Sequence, residues 1–128
     1  RSLEAQAENP LAAFYRGYTR QITGDHRGAI DDYQTALAAF GDSDIVLNNI
    51  GYAYLQLSRF DMALDYLRRA VAANDENAQA HLNLGLVQMS LQNYRQALAE
   101  LERAVELDPS LGPTLEQLIA TARSRAGQ

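Results

Sequence analysis

Leu47-Asn48-Asn49-Ile50-Gly51-Tyr52-Ala53-Tyr54, followed by Phe60, Ala63, Leu67 and Ala70, is one copy of a pattern that runs through the chain three times. Glycine recurs at Gly17, Gly51 and Gly85. Alanine recurs at Ala29, Ala63 and Ala97, and again at Ala36, Ala70 and Ala104, every step being 34 residues. A self-similar period of that length marks a stacked repeat protein rather than a domain built around one central core. Arrays of this kind act through the surface that their stacking creates.

The period divides the chain into repeats at 10–43, 44–77 and 78–111, with a remainder at 112–128. Each repeat reads as two helices. Phe60, Ala63, Leu64, Leu67, Ala70 and Val71 follow helical spacing, as do Tyr94, Ala97, Leu98, Leu101, Ala104 and Val105, and His26, Ala29, Ile30, Tyr33, Ala36 and Leu37 fall in register with them. Gly41-Asp42-Ser43-Asp44, Asn74-Asp75-Glu76-Asn77 and Asp108-Pro109-Ser110 supply turn and cap residues between repeats. Thr23-Gly24-Asp25, Leu57-Ser58-Arg59 and Leu91-Gln92-Asn93 join the two helices within them. A mid-helix glycine costs about 1 kcal/mol relative to alanine. Its recurrence therefore predicts close packing, with glycine on the first helix and alanines on the second as small residues at the crossing.

These residues resemble the tetratricopeptide repeat family, whose unit is a 34-residue helix-turn-helix. The second repeat carries the match most fully, and the third adds Asn83-Leu84-Gly85, Tyr94, Ala97, Leu101, Ala104 and Pro109. The first departs from it, with Arg16 and Arg20 where the second has Ile50 and Tyr54. The resemblance covers about residues 10–111 and implies an all-α solenoid, a right-handed superhelical stack of three antiparallel helix pairs. Leu111, Leu115, Leu118, Ile119 and Ala122 form an apolar stripe, with Glu116, Gln117, Arg123 and Arg125 elsewhere. This predicts a C-terminal capping helix over 112–128, as an open-ended stack needs. Residues 1–9 read as a tail or the stub of an upstream helix.

Composition narrows the partners. The net charge is −5, which argues against nucleic acid and against direct contact with an anionic membrane. Cysteine is absent, so there is no disulfide framework or thiolate site. All eleven basic residues are arginine, a bias typical of a GC-rich bacterial genome. The start, Arg1-Ser2-Leu3-Glu4, reads as an excised or processed segment, and localisation cannot be read from it.

No residue set suggests catalysis, a cofactor or a metal. His26 takes the place of Phe60 and Tyr94 and reads as an aromatic filler, while His81 takes the place of Leu47 on the packing face; no ligand lies at zinc spacing from either. Asp25 reads as a helix N-cap, and Asp31 and Asp32 as solvated surface positions. The 41–44 loop lacks the spacing and closing glutamate of a calcium loop. There is no nucleophile with a base and an orienting group, so an enzyme is not expected.

The first helices point to binding instead. Beyond Leu47, Ile50, Gly51 and Tyr54 and their equivalents, a second set of residues lies on another face. It comprises Leu11, Phe14, Tyr18 and Gln21; Ile45, Asn48, Tyr52 and Leu55; and Gln79, Leu82, Leu86 and Met89. A helix apolar on two faces is buried twice or exposes one. Part of this set could complete contacts between neighbouring first helices. The family resemblance implies a concave groove here that holds a peptide, with Tyr15, Asn49 and Asn83 beside it and Gln56 at its edge. Amides bond a peptide backbone in both directions, and tyrosine gives large contact area at low entropy cost. The family's capture of a C-terminal carboxylate relies on lysines and an arginine, and this groove offers neither. The expectation is a non-enzymatic scaffold for a protein or peptide segment. Self-association through exposed faces, or a regulatory role within a larger protein, are the alternatives.

Overall fold

The computed structural model describes residues 9–127. Among them seven α-helices follow one another: α1 Pro10–Ile22, α2 His26–Phe40, α3 Asp44–Gln56, α4 Phe60–Ala73, α5 Ala78–Ser90, α6 Tyr94–Leu107 and α7 Gly112–Ala126, with one 3₁₀ turn at Pro109–Leu111. The fold is an all-α solenoid of helical hairpins, α1–α2, α3–α4 and α5–α6, followed by α7. The tail or stub expected at 1–9 lies outside the described residues except for Asn9, the N-cap of α1.

Local chemistry sets the helix ends. The side chain of Asn9 accepts from the amides of Leu11 and Ala12, Asp25 from Gly28, and Asn77 from Ala80, all at 3.0–3.1 Å. Each satisfies an amide that the helix itself leaves unpaired. The three turns within hairpins share one geometry. Gly24, Ser58 and Gln92 all have positive φ (92°, 59° and 63°). The next residue donates its amide back over the turn, Asp25 to Arg20, Arg59 to Tyr54 and Asn93 to Gln88, at 2.7–2.9 Å. This is the Schellman arrangement, which favours glycine at the left-handed position.

The hairpins close around the glycines in a manner different from small residue against small residue. A Cβ on Gly51 would lie 2.5 Å from Leu67 Cγ, one on Gly85 2.7 Å from Leu101 Cδ2, and one on Gly17 3.1 Å from the Tyr33 ring. Each glycine therefore makes room for a large side chain of the second helix. The two alanine series flank that side chain one turn to either side, and all six alanines are fully buried. Successive hairpins dock through the same residues. Ala29, Tyr33 and Ala36 meet Val46 and Ile50; Ala63 and Leu67 meet Leu84 and Val87. At the far end, Leu101 and Ala104 meet Leu115 of α7, with Leu111, Leu118 and Ile119 around it.

Asp32 is not a solvated surface residue. It is 3% exposed and receives Arg16 Nη2 at 2.7 Å, Arg16 Nε at 3.0–3.1 Å and Arg20 Nη1 at 3.1 Å. Arg16 and Arg20 stand where Ile50 and Tyr54 pack against the preceding hairpin in the second repeat. In the first repeat an ion cluster covers that face, since a buried carboxylate persists only when paired. Asp31 is exposed, as expected.

Two substitutions of opposite sign test this packing. Gly51→Ala should lower stability by about 2 kcal/mol through overpacking against Leu67, despite alanine's better helix propensity. Ser58→Gly should raise it by about 0.5–1 kcal/mol by relieving the left-handed conformation. Urea denaturation midpoints measure both.

Candidate ligand-binding groove

The first helices α1, α3 and α5 form the face on which the groove is expected. Tyr18 and Gln21 of α1, Asn48, Asn49 and Tyr52 of α3, and Gln79 and Asn83 of α5 line one open cleft of about 410 Å³. None of these seven side chains is charged. Asn83 is 5% exposed and donates through Nδ2 to Asn48 Oδ1 at 2.9 Å, tying α5 to α3 across the repeat boundary. That bond uses one donor of Asn83 and the oxygen of Asn48, leaving the Asn48 amide and the Asn83 oxygen out of side-chain bonds among the described residues.

Second-helix residues hold two of the lining side chains in place. Tyr33 is fully buried and donates its hydroxyl to Gln21 Oε1 at 2.6 Å, which fixes Gln21 at the cleft wall. Burial pushes the Tyr33 hydroxyl from 10.0 up to about 12, with Tyr18 and Asp32 adding to the shift and Asn49 opposing it. Tyr52 packs edge-on against His26 with ring centroids 6.4 Å apart. The Nδ1 of His26 is buried without a hydrogen-bond partner among the described residues. His81 is held on the packing face, bonded to Glu100 Oε1 at 2.6 Å and, through Nε2, to the Asp75 carbonyl at 2.7 Å.

The remaining expected residues divide. Phe14 packs on the Tyr33 ring at 5.7 Å, Leu55 joins the core between the second and third hairpins, and Leu82 and Met89 join the core that includes Leu115. These four are half-buried. Leu86 is half-buried as well, while Gln56 and Tyr15 are exposed. Tyr15 contributes, with Leu11 and Phe14, to a second cleft of about 170 Å³ whose other wall is Phe40, Ser43, Ile45 and Val46. Phe40, Ser43 and Val46 were not among the expected residues. The signal for Phe40 was present, since its equivalents in the next repeats are Asn74 and Asp108.

A stack of like helical hairpins defines the chain as a helical-repeat scaffold for protein interaction. A family model described as tetratricopeptide repeat matches residues 23–75 and 48–111, and the chain belongs to that family. Among solved structures it is similar to MamA, at 26% identity over 98% of this chain and 68% of that one, with a TM-score of 0.88. It is also similar to the first TPR domain of human RPAP3, at 26% identity over 95% and 98% of the chains and a TM-score of 0.83. The first TPR of Spaghetti, solved bound to the HSP90 peptide SRMEEVD, shares the fold at 23% identity over 95% and 96%, with a TM-score of 0.86. A search of curated protein sequences gives no match.

The buried tyrosine gives a pH signature. An unfolded tyrosine loses its proton near 10 and the folded Tyr33 near 12, so its contribution is complete below about pH 10 and is lost as the pH rises through about 12. Urea midpoints measured between pH 9 and pH 12 should fall more steeply for the wild type than for Tyr33→Phe.

Proposed function

We propose that the chain binds a peptide segment of a partner protein in the amide- and tyrosine-lined cleft across α1, α3 and α5, and catalyses no reaction. The observation that carries this reading is the convergence of seven uncharged side chains from three successive repeats on one open cleft. Amides and tyrosines suit a peptide backbone, and open tyrosines such as Tyr18, half exposed, serve as anchors. The Spaghetti structure shows that a domain of this fold takes a peptide, there one rich in acidic residues. The expected ligand of this chain is different. The sequence has no lysine, and the two arginines of α1 are committed to Asp32, so an acidic segment or a terminal carboxylate would lack a cationic partner. An internal, weakly charged segment fits the lining. On this reading residues 10–111 supply the binding repeats and 112–128 cover the last one.

The test is selection of ligands from a library of neutral and acidic peptides, followed by calorimetric titration. Changing Tyr18 and Tyr52 together to alanine should weaken the selected peptide by about 100-fold, on the order of 2–3 kcal/mol. Amidating its C-terminus should leave affinity unchanged. Unaltered binding by the double variant would remove the groove assignment.

A further inference from the structure

The largest exposed apolar feature of the described residues lies along α1. Leu11, Tyr15, Tyr18 and Ile22 are 50–67% exposed, and their spacings of four, three and four place them on one narrow face along the helix. That spacing is the seam of a helix that packs against another helix nearly parallel or antiparallel to it. Neighbouring Phe40 and Ile45 are also about half exposed, so six large apolar residues cluster here. A side chain of this size offers about 200 Å², so the cluster exposes on the order of 600 Å². That is the upper limit of what a monomer ordinarily leaves open.

The order of residues along the seam identifies its occupant. Read in either direction it runs aliphatic, tyrosine, tyrosine, aliphatic. If a second copy of α1 lies antiparallel on the first, Leu11 faces Ile22 of the second copy and Tyr15 faces its Tyr18. A two-fold interface requires this self-complementarity, because every contact must occur twice with its partners exchanged. Ile22 is the most exposed of the large apolar residues, at 67%. The antiparallel arrangement brings it to the 170 Å³ cleft between Leu11 and Tyr15 on one side and Phe40 and Ile45 on the other. Two copies bring two such insertions, one at each end of the helix pair. The charges of α1 do not oppose this pairing, since Arg16 and Arg20 are drawn toward Asp32 of α2. Burying the cluster on both copies removes about 1,200 Å², the lower end of the range for specific interfaces.

We propose that the chain, when its groove holds no peptide, forms a two-fold symmetric dimer through antiparallel pairing of α1, with Ile22 of each copy seated in the apolar cleft of the other and Tyr18 given to the seam rather than to the groove.

Sedimentation equilibrium from about 5 μM to 1 mM tests the proposal. The wild type should approach twice the monomer mass. Ile22→Glu, which changes an exposed side chain and should keep the helical circular dichroism signal, should weaken association at least tenfold. Leu91→Glu, an exposed apolar site on the α5–α6 turn, should leave it unchanged. In mixtures of a Leu11→Cys chain with an Ile22→Cys chain, a short thiol cross-linker should join the two variants to each other. A wild type that stays monomeric to 1 mM overturns the proposal. So does a dimer that Ile22→Glu leaves intact, or cross-linking of each variant only with itself.

Discussion

The solenoid rests on one steric arrangement repeated three times: a glycine in each first helix and a large side chain of the second helix filling the space that a Cβ would occupy. Gly17 with Tyr33, Gly51 with Leu67 and Gly85 with Leu101 bring the helices of each hairpin close enough to bury the flanking alanines completely. Those alanines then leave a shallow surface on which the next hairpin docks. The same column thus closes a hairpin on one side and spaces the stack on the other. The Schellman turns keep the two helices in the register that this needs, and they do so even where serine or glutamine must adopt the left-handed conformation.

Much of the architecture was legible because its contacts recur. A position read three times at one period averages out what any single residue might do, so the helices, their turns and the docking faces could be read from the columns. What did not recur was misread or missed. Asp32 has Tyr66 and Glu100 as its equivalents, so its column carries a carboxylate in two repeats and an aromatic residue in the other, with no consistent sign of burial. Its partners Arg16 and Arg20 lie on the other helix of the hairpin, and only the hairpin's geometry reveals that all three share a face. The glycine columns signalled close approach but not the identity of the residue that enters.

The cleft across the first helices was legible at the level of helix and face, and less so at the level of side chains. Neighbouring positions on a helix differ by about 100° in direction, so Phe14 and Tyr15 are separated only by where α2 and α3 lie. The structure turns Phe14 onto Tyr33 and leaves Tyr15 exposed. It draws Leu82 and Met89 toward the core that includes Leu115, because a further helix covers the last repeat. Such choices depend on neighbours that periodicity treats as equal although they are not.

The amide bridge from Asn83 to Asn48 joins equivalent faces of successive repeats and sets a spacing for whatever lies across them. Helices in contact stand about 8–10 Å apart, whereas an extended chain advances about 3.3 Å per residue. A segment crossing the first helices would therefore come level with a new repeat at about every third residue. Side chains of an extended segment alternate at every second residue, so successive repeats would meet opposite faces of it. A period of three set against a period of two leaves only the ligand's main chain in constant view. On the proposed reading the stack would serve as a ruler graduated in peptide groups, which is a reason for amides, rather than charges, to line it.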